Sequence, residues 1–166
     1  MVDANVLIQL AQNLWYVGIF IIGFLSSFLL FLPTPAFAVI FVLASPQFGF
    51  NPLALGLVAG FGAAVGEMIG YLIGYEGEKL LLERKYKKQL RDIERKFKEY
   101  GAPFVIFIFA FLPLPFDLVG IFCGVINYPA KKFFVPLLIG KVLKYILIAY
   151  AGFMGLHWIT QYFGVG

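Results

Sequence analysis

Two long apolar segments of this chain are each interrupted by two prolines that flank a single residue. Residues 18–45 contain Pro33 and Pro35, and residues 102–127 contain Pro113 and Pro115. Proline has no amide hydrogen and forces the preceding residue out of helical geometry, so such a pair breaks a helix. Each flanking piece is shorter than the roughly 20 apolar residues of a spanning helix. We therefore expect two re-entrant helical hairpins, with these four prolines at their tips.

The composition places these hairpins in a membrane. Of 166 residues, 61% are hydrophobic and 13% are charged, whereas soluble domains are about 45–50% apolar and about 25% charged. A chain of this size could not bury so much apolar surface in water, so lipid must cover part of it. We expect an all-α integral membrane protein, with residues 1–166 forming a single membrane domain.

Two further apolar segments, residues 53–75 and 133–156, are long enough to be transmembrane helices. The first of them carries glycines near four-residue spacing, which puts small residues on one face and permits close helix packing in lipid. These glycines are Gly56, Gly60, Gly62, Gly66, Gly70 and Gly74.

Residues 76–100 are strongly charged, with nine Lys or Arg and six Asp or Glu between Glu76 and Glu99. Their apolar residues recur every three or four positions, which predicts an amphipathic linker helix. Because hydrophobic segments lie on both sides, the expected partner is the bilayer surface and not a nucleic acid. Anionic lipid attracts each such Lys or Arg by about 1 kcal/mol. The positive-inside rule places this linker in the cytoplasm.

The N-terminal residues 4–17 place Asn5, Gln9, Gln12 and Asn13 on one helical face. This pattern predicts a short amphipathic helix in the membrane interface. The alternative is that these residues are the first turns of a longer spanning helix.

The chain repeats itself. Phe31-Leu32-Pro33-Thr34-Pro35 returns as Phe111-Leu112-Pro113-Leu114-Pro115, 80 positions later. An apolar arm, a turn with Asn and Pro, and a long helix follow each copy, so residues 18–75 and 102–156 are two repeats. The cytoplasmic linker between them predicts that the hairpins enter from opposite sides, as in inverted-repeat transporters. The alternative is a chance match in a chain rich in proline and phenylalanine.

Ionisable residues inside the hydrocarbon are costly and mark functional sites. Glu67 and Lys141 each lie about eight residues from the cytoplasmic end of their helix, about 12 Å deep, so they can pair across the two repeats. Lys144 lies one turn deeper on nearly the same face. The alternative is a structural ion pair, with Lys144 snorkelling toward the interface.

The second proline break is followed by Asp117. This carboxylate is expected in the first turn of the outgoing helix, as a simple N-cap or as a proton-accepting group in a buried cavity. Amide groups at the helix starts after Pro35 and Pro115 suit an anion such as phosphate. With Lys141 and Lys144 nearby, we expect an anionic lipid head group as the partner.

Other chemistry has little support in the sequence. One cysteine, Cys123, and one histidine, His157, do not make a metal site. The glycine-rich loop that binds nucleotide phosphates is absent. We expect no metal, no cofactor and no enzymatic activity.

The sequence resembles the DedA family, also called the VTT or SNARE-associated membrane domain. Gly66-Glu67 with Tyr71, Gly74 and Gly77 resembles its Gly-acidic signature. The family's second conserved block is resembled by a set of residues later in the chain: Phe97-Lys98, Tyr100-Gly101, Phe111-Leu112-Pro113, Gly124 and residues 133–144. The resemblance implies two opposed re-entrant hairpins and transport of polyprenyl-phosphate carrier lipids, coupled to a cation gradient in bacterial members. Eukaryotic relatives are lipid scramblases.

On this resemblance Glu67 matches the acidic position of the family, and Asp117 matches the acid of a shorter branch with Pro-x-Pro-x-Asp. Two arginines that many members carry around the second hairpin tip are replaced here by Ala110 and by Phe116-Asp117. Lys141 and Lys144 can supply the missing positive charge.

We therefore expect a multi-pass protein of the cell membrane that flips anionic isoprenoid lipids such as polyprenyl phosphate, with a proton or a sodium ion as driver. Two alternatives remain open: a passive phospholipid scramblase, and a membrane scaffold whose basic linker recruits partners without transport.

Overall fold

A computed structural model describes residues 4–28, 36–81, 95, 97, 99, 101–112 and 116–163. Within these residues the chain is helical and contains no strand. The helices are α1 (Ala4–Phe28), α2 (Ala36–Leu43), α3 (Pro52–Leu81), α4 (Ala102–Phe111), α5 (Asp117–Val125) and α6 (Ala130–Phe163), with a 3-10 turn at Pro46–Phe48.

Two of these helices are long and apolar enough to cross a membrane. They contain the 26-residue stretches Pro52–Gly77 in α3 and Ala130–Gly155 in α6. At 1.5 Å per residue each stretch is about 39 Å long, more than the roughly 30 Å of hydrocarbon. The predicted spanning helices at 53–75 and 133–156 are thus confirmed as helices. α3 also continues to Leu81, into the segment assigned to the linker, because Glu76–Leu81 contains no helix breaker except the tolerated Gly77.

Three helices are short: α2 has 8 residues, α4 has 10 and α5 has 9. Their lengths of about 12–15 Å are half the hydrocarbon thickness or less. α4 ends at Phe111 and α5 begins at Asp117, so the predicted helix break in the second apolar segment is confirmed. Pro33, Pro35, Pro113 and Pro115 lie outside the described residues.

The N-terminal helix α1 is longer than either of the segments predicted for this region. It consists of two helical pieces within Ala4–Phe28 that meet at a kink at Trp15, where φ is 49° and ψ is −130°. The Trp15 ring packs edge-to-face on Phe50, with 5.2 Å between centroids. The interfacial location of residues 4–17 stays a prediction.

Glycines bring the helix backbones into direct contact, as the glycine spacing in α3 predicted. Gly56 and Gly60 lie against the backbone of α6, Gly62 and Gly66 against carbonyls of α1, and Gly74 against a carbonyl of α5. A Cβ atom at any of these positions would overlap the neighbouring backbone. The crossing of α3 and α6 is therefore close enough for side chains on facing positions to bond directly.

Several helix contacts of one half have a counterpart in the other half. α1 packs on α3 as α4 packs on α6, α5 packs on α3 as α2 packs on α6, and α3 crosses α6. Gly62 lies on the carbonyl of Phe20 in α1, and Gly140 lies on the carbonyl of Phe107 in α4. Exchanging helices α1–α3 with α4–α6 leaves these contacts unchanged, whereas the contact of α1 with α2 has no counterpart of similar extent between α4 and α5 in the described residues.

A second pair of glycines repeats the correspondence. Gly74 in α3 lies on the carbonyl of Ile121 in α5, and Gly152 in α6 lies on the carbonyl of Phe41 in α2. Gly74 and Gly152 are 78 positions apart, as are Gly62 and Gly140. Phe41 and Ile121 are 80 positions apart, which is the spacing of the Pro-x-Pro repeat.

The described part of the linker is anchored by Phe97. Its ring makes edge-to-face contacts with Phe122 of α5 and with Tyr128, which precedes α6. Phe97 belongs to the apolar stripe predicted for the amphipathic helix. Most of that stripe lies outside the described residues.

Candidate functional site

An ion pair lies buried where the two long helices cross. Nζ of Lys141 in α6 donates to Oε1 of Glu67 in α3 at 2.5 Å. The two residues are 5% and 3% exposed. The predicted pairing across the two halves is therefore present, and it is possible because Gly60 lets the backbones of α3 and α6 touch beside Lys141.

Two further groups support the Lys141 ammonium. It donates to Oγ of Ser27 at the end of α1, at 3.4 Å. It also lies 5.4 Å from the ring centroid of Phe116, the residue that precedes α5. Cation–π contact stabilises a desolvated ammonium. The charge of Lys141 is thus balanced by one carboxylate, one hydroxyl and one aromatic face.

Lys144 is equally buried, at 7% exposed, but its charge is not balanced in the same way. Its Nζ donates to the carbonyl of Leu112 at 3.2 Å and lies 5.5 Å from the ring centroid of Phe37. Among the side chains that the structure describes, no carboxylate forms an ion pair with Lys144. The described part of the layer therefore holds two ammonium groups and one carboxylate.

Each of the two lysines contacts one residue from the first half of the chain and one from the second half. Lys141 contacts Ser27 of α1 and Phe116 at the start of α5. Lys144 contacts Leu112 at the end of α4 and Phe37 of α2. With Glu67 on α3, all six helices contribute to one layer of charge, which we call the buried charge layer.

Several residues of this layer were not among the predicted site residues. Phe37 and Phe116 supply aromatic faces, and Ser27 accepts a hydrogen bond from Lys141. The fully buried Tyr145 makes a hydrogen bond to Ser26 across 119 positions. The sequence signal for Tyr145 is its place on α6, one turn after Lys141 and beside Lys144.

The remaining predicted site residues are placed only in part. Asp117 is the first residue of α5, as predicted, and its side chain lies outside the described part of the chain. The described residues contain no group of three His, Cys, Asp or Glu that could hold a metal ion.

The chemistry of the layer suits an anion. It offers ammonium N–H donors in a water-poor interior, where electrostatic interactions are strong. A charged side chain at the centre of a membrane-spanning helix costs about 2.5–3.5 kcal/mol on insertion scales. A group that brings negative charge and several acceptor oxygens would offset that cost at Lys144.

The described residues form helices without strands, two of these helices are long and apolar enough to cross a bilayer, and charged side chains lie buried between them, which is consistent with a membrane protein. The family model of the VTT domain matches residues 32–154, about three-quarters of the chain. The protein therefore belongs to the VTT domain family, the DedA family.

One relative is an uncharacterised protein of Methanocaldococcus jannaschii. It is 25% identical over 142 residues, which cover 86% of this chain and 86% of that protein. No solved structure matches the chain.

Proposed function

We propose that this protein is a transporter that flips an anionic isoprenoid lipid, such as a polyprenyl phosphate, across the bilayer. The observation that supports this most directly is Lys144, a buried ammonium with no carboxylate partner among the described side chains. Transport, and not catalysis, is the activity we infer, because the lysine beside the Ser27 hydroxyl is paired with Glu67 as a hydrogen-bond donor and does not serve that hydroxyl as a base.

Lys144 is the residue that would bind the head group. An ammonium has three N–H donors, and one of them bonds to the carbonyl of Leu112. A phosphate oxygen can accept another in a short charge-assisted hydrogen bond. Lys141 has a secondary role, because Glu67 already balances its charge.

The driving ion would act on the same layer. If Glu67 takes up a proton, its attraction for Lys141 falls, and a second ammonium becomes available for the phosphate. Glu67 and Asp117 are thus the proposed groups for coupling to a proton or a sodium ion. Cargo and ion would be linked because both act through Lys141.

The architecture we propose is a pair of re-entrant hairpins, α1–α2 and α4–α5, in an inverted repeat. Three of the four arms are half the hydrocarbon thickness or less. The exchangeable helix contacts and the two glycine pairs support the repeat. Inverted repeats with broken helices near the midplane form the binding sites of many transporters.

With this architecture the protein would be a multi-pass protein of the cell membrane. α3 delivers the chain to residues 76–100 on the cytoplasmic side, and the second hairpin returns to that side. Lys131 and Lys132 at the start of α6 are exposed and would face the cytoplasm, as the positive-inside rule favours.

The experiment is reconstitution in phosphatidylcholine liposomes that carry a fluorescent polyprenyl phosphate, with and without a pH or sodium gradient. The protein should move the probe when a gradient is applied. Lys144→Gln should abolish this movement. Lys132→Gln, which removes an exposed lysine of the same helix, should retain it.

Three results would contradict the proposal. Equal movement by Lys144→Gln would remove the assigned head-group site. Movement of all phospholipids without any gradient would indicate a scramblase, and absence of movement under every gradient would indicate a non-transporting scaffold.

A further inference from the structure

Tyr145 is the largest of the fully buried side chains that the structure describes, at 1% exposed, and it lies beside the buried charge layer. It follows Lys144 directly in α6 and comes one turn after Lys141. Its hydroxyl and its ring reach two different helices, α1 and α2. The contact with α1 lies next to the residue that bonds to Lys141, and the contact with α2 is with the ring that Lys144 contacts.

The direction of the hydroxyl bond follows from the surroundings of Ser26. Ser26 Oγ donates to the carbonyl of Gly23 at 2.6 Å and lies 3.0 Å from Oη of Tyr145. A serine hydroxyl has one hydrogen to donate. Because the Gly23 carbonyl accepts that hydrogen, Tyr145 is the donor to Ser26.

This bond fixes the end of α1 that supports Lys141. Ser27, the next residue, accepts from Nζ of Lys141. The last turns of α1 are also held on α3, since Gly23 lies against the carbonyl of Ala59 and Gly66 against the carbonyl of Phe24. The Tyr145 hydroxyl adds the link from α1 to α6, and so sets Ser27 opposite the lysine.

The ring of Tyr145 supports the other lysine. Its centroid is 5.5 Å from that of Phe37, with 41° between the ring planes. Phe37 also contacts the Lys144 ammonium, which lies 5.5 Å from its ring centroid. Tyr145 therefore packs against the aromatic group that Lys144 rests on.

We infer that Tyr145 is a positioning residue of the head-group site. It acts on Lys141 through Ser26 and Ser27, and on Lys144 through Phe37, and it does not itself bind the cargo. This inference rests on the proposed function, since it assigns the role of Tyr145 by the lysines that it places.

The test uses the intact protein in phosphatidylcholine liposomes with a fluorescent polyprenyl phosphate. Tyr145→Phe removes the hydroxyl and keeps the ring, and Ser26→Ala removes the acceptor. Each should raise the apparent KM for the probe about two- to tenfold, the effect of one lost hydrogen bond. The maximal rate and the thermal unfolding midpoint should change little.

The double variant Tyr145→Phe/Ser26→Ala should be no worse than Ser26→Ala alone, because Ser26→Ala already removes the bond to Tyr145 together with the bond to the Gly23 carbonyl. Tyr150→Phe is the matched control. Tyr150 lies on the same helix with an exposed side chain, and its variant should behave as the wild type.

The outcomes separate this inference from the proposed function. Wild-type KM values for Tyr145→Phe and Ser26→Ala, with transport lost in Lys144→Gln, would overturn the positioning role and leave the transporter intact. Additive losses with a lowered unfolding midpoint would also overturn it, since they would indicate a packing role. Wild-type transport by Lys144→Gln would overturn the proposed function itself, whatever Tyr145→Phe shows.

Discussion

Lys141 and Lys144 lie one turn apart on the same helix and are buried to a similar degree, yet their surroundings differ. Lys141 faces a carboxylate at 2.5 Å, whereas Lys144 faces a carbonyl and an aromatic ring. The charge of a buried pair is costly to separate, because each member depends on the other for compensation. Substitution of Lys141 should therefore mainly lower stability, and substitution of Lys144 should mainly lower transport.

The Glu67–Lys141 pair can be tested by a double-mutant cycle. Lys141→Gln leaves the Glu67 carboxylate buried without its ammonium, and should destabilise the protein by about 3–5 kcal/mol. Replacing both residues, as Glu67→Gln/Lys141→Gln, should recover most of this loss. The measurement is the thermal unfolding midpoint of purified protein in detergent.

Lys144→Gln is the control for this cycle. It breaks no ion pair among the described side chains, so the unfolding midpoint should stay close to that of the wild type. Strictly additive losses in the Glu67 and Lys141 variants would show that the pair contributes nothing as a pair.

At the scale of the elements, the glycines of α3 determine which helices can touch. Gly74 lies directly on the Ile121 carbonyl of α5, whereas the space around Gly77, three residues later, is open. The same helix thus offers one glycine that the packing requires and one that it does not. Substitution by alanine should separate them.

Gly74→Ala should destabilise the protein by about 1–3 kcal/mol, because the added methyl group overlaps backbone that cannot move aside cheaply. Gly77→Ala should be neutral or stabilising by up to about 1 kcal/mol, the helix propensity gained. Thermal unfolding in detergent compares the two variants directly. Equal effects of the two substitutions would contradict the close α3–α5 contact.

How far the sequence predicts these elements depends on the range of the signal. Hydropathy and proline positions predict α3, α6 and the break before Asp117, because those signals are local. Equal depth in two helices was enough to predict the pair between Glu67 and Lys141. The Tyr145–Ser26 bond joins residues 119 positions apart, and no local pattern specifies it.

Two other features could not be predicted from the sequence for the same reason. The backbone break at Trp15 accompanies its contact with Phe50, a residue brought close by the fold. The aromatic faces of Phe37 and Phe116 are two of many phenylalanines in the chain. Only the packed structure shows that these two lie beside the lysines.

At the scale of the whole molecule, several helix contacts have a counterpart in the other half, whereas the charged residues of the buried charge layer do not. With the 78-position spacing of the glycine pairs, the counterpart of Glu67 is Tyr145, and the counterparts of Lys141 and Lys144 are Ala63 and Gly66. Under the proposed repeat, Glu67 lies in one half and both lysines lie in the other. The Glu67–Lys141 ion pair therefore joins the two halves, and a rocking motion of one half against the other would alter it.

The proposed topology makes a prediction about the two turns that precede the spanning helices. Asn51 precedes α3, Lys132 lies at the start of α6, and both side chains are exposed. If the α4–α5 segment is re-entrant, these turns lie on opposite sides of the membrane. If it crosses the bilayer as one kinked span, they lie on the same side.

Single-cysteine variants Asn51→Cys and Lys132→Cys, each in a Cys123→Ser background, distinguish these arrangements. We expect a membrane-impermeant thiol reagent added to intact cells to label Asn51→Cys and to label Lys132→Cys only after the membrane is permeabilised. The Cys123→Ser protein alone is the control and should stay unlabelled. Labelling of both variants from outside would exclude the re-entrant second hairpin, and with it a head-group site that is reached from opposite faces by two hairpins.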